Sequence, residues 1–600
     1  MKFSLANIPI RFSAFSVLSI FLVLGFLTFG QSISHPFVHD DLASIVNNPD
    51  IARWNNLSTY FLNPSALFRS GPNINLYYRP LSDIFSKSEY FFFGLNPRGY
   101  HVINILLHVL NSFLIFYLLN LVMREKKIAL GVALLFLIHP SQTESVTYIS
   151  GVSDLLFSLF CIGGLIFYIL SVWQERKYAQ NILYGLFLLI FAVALLIKEQ
   201  SVALLFLVIL FEAFIQDKAK ELPKTKFVRL SGAFIIFLGY LLLRQKALGS
   251  ALPSLLAYKG EWMLKLLSVP RILLTYLRII LFPVDLHFYR TVDILKPVLW
   301  PWLGFLLCLI LIVLLLRAMP KAQLNFGFFA IAWFFAVLLP VCVVPMLAEY
   351  SYAWTPEHFL YLPLAGFFLF VVLSAQILIK RFFKQKAAIA SVSIFLTFGA
   401  LLSVITIKQN SFWKDEETLF KRSLKAEDQL GRVHTLLAKT YFEKGKQNYA
   451  IEEYKQALRI MNDYAAKAKT KIARDFYLEL IKEIHMDLAM VFSVKRNFQE
   501  AIKELQSALS FDPSNSAIHN NLGLNFLYAQ QLKEAKAHFQ EAIRLDAANV
   551  RAMSNLAVCY IQSHQEARAK ELLRQALAID NNFLPAKENL NRLMDSQNPK

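Results

Sequence analysis

The chain has 600 residues, of which 56% are hydrophobic and 53 are phenylalanine, and it carries a net charge of +19. That is too apolar for an ordinary soluble protein and suits one built into a membrane. Residues 1–410 hold +15 of the charge and residues 411–600 hold +4, so the basic excess belongs to the apolar part, where it sets topology rather than binding nucleic acid.

The first apolar run, residues 11–31, follows Lys2 and Arg11 and has no small-residue cleavage site, so it reads as a retained signal anchor. Ten more runs of spanning or nearly spanning length follow, at about 101–123, 128–149, 152–173, 178–197, 200–216, 227–246, 298–317, 322–346, 357–379 and 387–407. The segment 262–283 is also apolar, but Lys265, Arg271, Arg278 and Pro270 make it an interfacial or re-entrant helix. With eleven spans and the N-terminus inside, Arg124/Lys126/Lys127, Arg176/Lys177, Lys218/Lys220/Lys224/Lys226/Arg229, Arg317/Lys321 and Lys380/Arg381/Lys384/Lys386 all fall on the cytoplasmic side. The loop 32–100 and everything beyond 408 are then outside. The expected location is a bacterial inner membrane, with the N-terminus cytoplasmic and the last part periplasmic.

That last part repeats. Ala489, Gly523 and Ala557 are 34 residues apart, as are Ala501, Ala535 and Ala569, then Ala508, Ala542 and Ala576, then Phe492, Phe526 and Tyr560. This is the tetratricopeptide pattern, with small residues where paired helices cross and large ones between them. An upstream copy (Leu437, Ala438, Tyr441, Ala450, Tyr454, Ala457) is offset by 51, so about half a repeat is inserted near 463–482, and 585–594 reads as a capping helix. The expected fold is all-α: a polytopic membrane domain over 1–410 and a tetratricopeptide α-solenoid over 411–600.

The polar residues of the apolar half collect on the side assigned as outside. They are Asp40 and Asp41 after the first run, Arg79 and His101, His139 and Glu144 in HPSQTES, Asp154, Lys198 and Glu199, then FPVDLHFYR (282–290), and Glu357, His358 and Tyr361 in YSYAWTPEHFLYLP (350–363). Ionisable groups at membrane depth are costly and mark pathways or sites. Each also has a structural reading. Asp40 or Asp41 could cap a short helix, Lys198 and Glu199 could form an ion pair, the histidines could be satisfied core residues, and Arg271 and Arg278 could snorkel to headgroups. Cys161, Cys308 and Cys342 lie in apolar runs and Cys559 in the polar part, with no metal-ligand spacing. No Walker loop, H-E-x-x-H or G-x-S-x-G is present, which argues against an ATP-driven pump or a membrane protease.

HDD after the first run, YYRPL (77–81), GLNPRGYHVINILLHVLN (94–111), HPSQTESV (139–146), KEQS (198–201), YLRIILFPV (276–284) and EHFLYLPLAG (357–366) occur in this order. The set resembles the multispan glycosyltransferases of the C superfamily that carry C-terminal tetratricopeptide repeats, a group related to transmembrane O-mannosyltransferases. His358 stands where the family commonly has arginine, and Glu89 where it has aspartate. The resemblance implies a polyprenyl-phosphate sugar donor used on the outer face, an inverting reaction and an acid in the first outer loop as base. That maps onto Asp40, with Asp41 supporting it. Arg79, Lys198, Arg271 and Arg278 become candidates for the donor phosphate. His101, His139, Glu144, Asp154, Glu199, Glu357, His358 and Tyr361 become candidates for substrate contacts. The resemblance fixes no cofactor, and the two acids leave a divalent cation such as Mg or Mn open. The expected partners are the lipid-linked donor, membrane lipids and an exported protein or peptide, with the repeats making protein contacts. A transferase acting on envelope lipid or polysaccharide, and a non-catalytic scaffold, are the alternatives.

Overall fold

The computed structural model describes residues 13–54, 57–62, 77–216, 223–248, 262–293, 299–347, 352–468 and 471–595. Lys2, Arg11, Lys218, Lys220 and the start of the 350–363 motif lie outside these residues. The chain divides into two compact units, Met1–Ala426 and Glu427–Lys600.

The first unit contains α1 (Ser13–Phe29), α2 (Leu57–Leu62), α3 (Pro80–Phe93), α4 (Pro97–Met123), α5 (Lys126–Ile138), α6 (Thr143–Thr147), α7 (Val152–Trp173), α8 (Lys177–Ile197), α9 (Ala203–Phe214) and α10 (Pro223–Leu248). It continues with α11 (Trp262–Leu281), α12 (Trp300–Ala318), α13 (Lys321–Leu347), α14 (Pro363–Phe383), α15 (Ala387–Asn410) and α16 (Glu416–Ala426). Each of the eleven apolar runs is helical, and the unit is a polytopic helical membrane domain. Its one sheet among the described residues is a ribbon of β1 (Thr291–Asp293) and β2 (Tyr352–Trp354), antiparallel with Thr291 opposite Trp354.

Among the described residues, eight segments are long and apolar enough to cross a membrane, and one of them, Pro363–Trp413, runs through both α14 and α15; some of the expected runs form shorter helices. Helices α5 and α9, with 13 and 12 residues, reach only about 20 Å of a core about 30 Å thick. Pro140 explains the early end of α5, because a proline disfavours helical geometry in the residue before it, and His139 is extended. The carbonyls freed at that end are met by side chains. Gln142 Nε2 donates to Phe136 O (3.4 Å), His108 Nε2 to Leu137 O (2.9 Å) and Thr406 Oγ1 to Ile138 O (2.7 Å). Non-helical backbone at membrane depth is tolerated only with such internal partners.

Residues 139–149 are all buried and complete the return that α5 leaves short. Asn104 on α4 donates to Tyr148 O, and Asn111, two turns on, donates to Leu155 O, so α4 and α7 run parallel. Likewise α9 runs parallel to α7, since Tyr168 Oη donates to Glu212 Oε1 (2.7 Å) and Trp173 Nε1 to Gln216 Oε1 (3.1 Å). Helices α4, α7 and α9 therefore run in one direction, as the expected alternation of passes requires of these three.

The second unit stacks α17 (Gly431–Glu443), α18 (Gln447–Lys467), α19 (Lys471–Val494), α20 (Phe498–Phe511), α21 (Ser516–Tyr528), α22 (Leu532–Leu545), α23 (Val550–Gln562), α24 (Glu566–Ile579) and α25 (Leu584–Asp595). The predicted small positions Ala501, Ala508, Ala535, Ala542, Ala557, Ala569 and Ala576 are fully buried. At Gly523 a Cβ would meet the Phe539 ring at 2.7 Å, so a larger residue at this crossing would require the ring to shift. The inserted half-repeat lengthens α18 and α19 to 21 and 24 residues.

Candidate functional site

Three polar groups meet around the buried segment 139–151. The first is the turn after α1. Asp41 is fully buried; its Oδ1 accepts from Ser150 N (2.9 Å) and Ser150 Oγ (2.5 Å), and its Oδ2 accepts from Val38 N (3.1 Å). Burial pushes its carboxyl up to about 7 against these three bonds, and Asp40 adds to the rise. Asp40 points the other way. Its side chain is 69% exposed, with Oδ1 3.3 Å from His39 Nε2, while its backbone N–H donates to Tyr148 Oη (3.2 Å). His39 has φ 55, a left-handed conformation that costs energy for a non-glycine residue. It is braced from α16, where Glu416 Oε1 accepts the His39 N–H (2.9 Å), and its ring packs on Phe288 and Phe420.

The second group joins Glu144, Glu357, His358, His287 and Arg290. Glu144 Oε2 accepts from the backbone N–H groups of Glu357 (2.7 Å) and His358 (3.1 Å), and its Oε1 lies 2.7 Å from His358 Nδ1. Glu357 Oε1 accepts the His287 N–H (2.9 Å). Glu357 is buried. Arg290 is buried and donates Nη2–H to Asp285 O (2.8 Å); its Nε is without a partner among the described residues. The β1–β2 ribbon brings the 285–290 and 355–358 stretches together, and Thr355 N donates to Arg290 O (2.9 Å).

The third group is a pair of ion pairs. Lys198 Nζ lies 2.6 Å from Asp154 Oδ1, both about 95% buried. Arg79 grips Glu199 with two bonds, Nε to Oε2 (2.8 Å) and Nη2 to Oε1 (2.5 Å). Burial works against the Glu199 carboxylate, yet Arg79 holds it down at about 2. Burial lowers the Lys198 amine despite the pull of Asp154.

The groups are close neighbours. Asp154 is one helical turn beyond Ser150, the partner of Asp41. Gly151 lies against the other arm of the segment, where a Cβ would meet Ser145 O at 2.5 Å and Glu144 O at 3.0 Å. Asn410 ties the segment to two helices, accepting from Thr147 Oγ1 (2.6 Å) and donating to Thr28 O (2.7 Å).

Other candidates act as braces. Tyr361 is fully buried, and its hydroxyl donates to His108 Nδ1 (2.8 Å) and accepts from Asn111 Nδ2 (3.1 Å). His139 donates Nε2–H to Ile280 O (3.0 Å) and His101 to His35 O (3.2 Å). Arg278 pairs with Asp285 and is 57% exposed; Arg271 is half-buried on α11. Three of the four nominated cations therefore already hold carboxylates. Sequence reading missed Tyr148, His108, Asn111 and the role of Arg290. Their signal was present in part, because His101, Asn104, His108 and Asn111 step by three, four and three along one face of α4.

The donor set does not suit a resident metal. Both Asp41 oxygens are occupied, and among the described residues no group of three or more histidines, cysteines or acids is placed to hold an ion.

Tetratricopeptide-repeat family models match residues 431–464 and 526–588. The chain is 24% identical to the protein O-mannosyl-transferase F38B6.6 of Caenorhabditis elegans over 74% of this chain and 63% of that protein. It is 24% identical to the human protein O-mannosyl-transferase TMTC1 (73% and 54%) and 26% identical to mouse TMTC4 (72% and 65%). The chain thus spans somewhat over half the length of these curated relatives. The resemblance carried by the motif series holds: the chain is a homologue of protein O-mannosyl-transferases, with a polytopic helical membrane domain and C-terminal tetratricopeptide repeats.

Proposed function

We propose that the chain is a membrane glycosyltransferase that moves mannose or a similar hexose from a polyprenyl phosphate to a hydroxyl of an exported protein, with inversion at the anomeric carbon. The observation that carries this reading is Asp40. It is an exposed carboxylate, with His39 as its side-chain neighbour, at the edge of a cluster whose other acids are buried or paired with cations, so it is the acid that an acceptor from solvent can reach. As the acceptor hydroxyl oxygen attacks the anomeric carbon, its proton passes to Asp40. The bond from that carbon to the phosphate oxygen breaks, and polyprenyl phosphate leaves with the bonding pair. The sugar–phosphate bond supplies the energy. Asp41 fixes the turn through Ser150 and Val38.

Arg290 suits the departing phosphate, since it is buried and its Nε is unengaged. Arg79 and Lys198 reach the phosphate only alongside their carboxylates. Segment 139–151 and the 285–290 stretch form the floor. The proposed orientation keeps the N-terminus cytoplasmic and places the site and the repeats on the opposite side, which is the periplasm if the membrane is the bacterial inner one. The basic residues at the ends of α4, α7, α12 and α14 support it.

The test uses the purified chain in lipid vesicles with labelled polyprenyl-phosphate mannose and an unfolded acceptor polypeptide. Wild type transfers label, and Asp40→Asn lowers transfer by about 10²-fold or more. Transfer that survives Asp40→Asn removes the proposed base.

A further inference from the structure

Helix α16 reaches both ends of the proposed reaction. Its first residue, Glu416, accepts the His39 N–H (2.9 Å), and Phe420, one turn on, packs against the His39 ring. Both contacts hold the turn that carries Asp40. Arg422, two residues further, reaches the other end. Its Nε donates to Leu286 O (3.2 Å) and its Nη2 to Val284 O (2.9 Å), while its guanidinium lies 4.8 Å from the Phe412 ring centre. Glu416 and Arg422 are six residues apart, about 9 Å along the helix axis.

The two carbonyls that Arg422 holds flank Asp285. The Asp285 carbonyl in turn accepts the Nη2–H of Arg290 (2.8 Å), the bond that orients this buried guanidinium. A shift of the 284–286 backbone therefore moves the head of Arg290 with it. Packing fixes that backbone unevenly. Leu286 is fully buried, and its carbonyl has a second donor in Gln409 Nε2 (3.2 Å), but Val284 is 67% exposed. The Asp285 carboxylate pairs with the exposed Arg278, and a pair of that kind gives little rigidity. Arg422 is the cation that ties the exposed side of the stretch to a helix. Its charged fork suits the task, because a guanidinium presents several N–H groups in fixed geometry, whereas an ammonium is a point charge.

We propose that Arg422 is a positioning residue for the departing phosphate: by holding the carbonyls of Val284 and Leu286, it fixes the Asp285 carbonyl that aims Arg290. This rests on the proposed transferase reading, in which Arg290 meets the phosphate. Arg422 itself does not touch the donor. Its placement matters because a displacement of about 1 Å at a reacting group can cost about 10²-fold in rate. Helix α16 then serves both ends of the displacement, the base through Glu416 and the leaving group through Arg422.

The test measures binding by the full chain in nanodiscs, with no acceptor present. The probes are a fluorescent polyprenyl phosphate and the polyprenol of the same length. Wild type binds the phosphate more tightly than the alcohol. Arg290→Met weakens phosphate binding by about tenfold or more and Arg422→Met by about fivefold, and neither changes polyprenol binding. The double variant Arg290→Met/Arg422→Met binds no more weakly than Arg290→Met, because Arg422 acts through Arg290. Arg422→Lys, which keeps a donor for one of the two carbonyls, recovers part of the loss. Glu416→Ala, which loosens only the Asp40 turn, binds the phosphate like wild type. The proposal is overturned if Arg422→Met binds polyprenyl phosphate like wild type, if the two losses add in the double variant, or if polyprenol binding falls equally. A wild type that binds both lipids alike removes the phosphate role of Arg290 and the proposal with it. The expected binding pattern with no transfer when mannosyl donor and acceptor are added would instead overturn the transferase reading, and leave Arg422 as the positioning residue of a lipid-phosphate site.

Discussion

Breaking the pair between Asp154 and Lys198 tests how the membrane unit holds its charges. Both groups are about 95% buried and 2.6 Å apart. At an effective dielectric constant of about 20, unit charges about 3 Å apart attract by about 5 kcal/mol. Removing the amine in Lys198→Met leaves a buried carboxylate without its partner, which costs about 3–5 kcal/mol, and Asp154→Asn costs a similar amount for the opposite reason. The double variant Asp154→Asn/Lys198→Met buries no charge and loses about 2 kcal/mol or less. A double-mutant cycle should therefore give a coupling energy of about 4 kcal/mol or more. The assay is reversible unfolding in mixed micelles, followed by tryptophan fluorescence. Single effects that add within about 0.5 kcal/mol would refute the view that these two groups support each other.

Other perturbations probe the frame around the site. Gly151→Ala drives a Cβ into the carbonyls of Ser145 and Glu144, so it should lower the melting temperature and open segment 139–151 to limited proteolysis; a wild-type digest would contradict the packing. Glu416→Ala removes the acceptor that holds the His39 N–H. That bond is worth about 1 kcal/mol, so transfer should fall while the melting temperature barely changes, and unchanged transfer would show that the Asp40 turn needs no brace. The two carboxyls with opposite shifts should respond to pH in opposite ways. Glu199, held at about 2 against an ordinary 4.5, contributes stability above pH 4.5 that is lost as pH falls through 2. Partial solvent exposure limits it to about 1–2 kcal/mol, and the stability gap between wild type and Glu199→Gln should close over that window. Asp41, raised to about 7 from an ordinary 3.8, favours the folded state below pH 3.8, and this contribution is lost as pH rises through 7. The wild-type melting temperature should therefore drop across that range more than that of Asp41→Asn.

The helical frame was legible because its signals are local. Each apolar run became a helix, and the 34-residue spacing of Ala501, Ala535 and Ala569 marked crossings that are fully buried. The stop in α5 was written in His139–Pro140, although hydropathy alone carried the run on to 149. The partners of the charged groups were not legible. Arg79 meets Glu199 across 120 residues and Glu144 meets Glu357 across 213, and no local pattern in one sequence distinguishes these pairings from others. The β1–β2 ribbon is three residues per strand, too short for an alternating pattern to appear. The contrast between Asp40 and Asp41 depends on which carboxylate turns inward, and that is decided by Ser150, more than a hundred positions away.

The central claim is that the Asp40 turn faces the side of the membrane opposite the basic loops, and single-cysteine labelling tests it most directly. Ala43→Cys, exposed just beyond Asp41, and Lys126→Cys, exposed at the start of α5, are placed one at a time in a chain whose native cysteines are alanine. A membrane-impermeant maleimide added to intact cells should label Cys at 43 and reach Cys at 126 only after the membrane is opened. Labelling in the reverse order would put the acids in the cytoplasm and contradict the account.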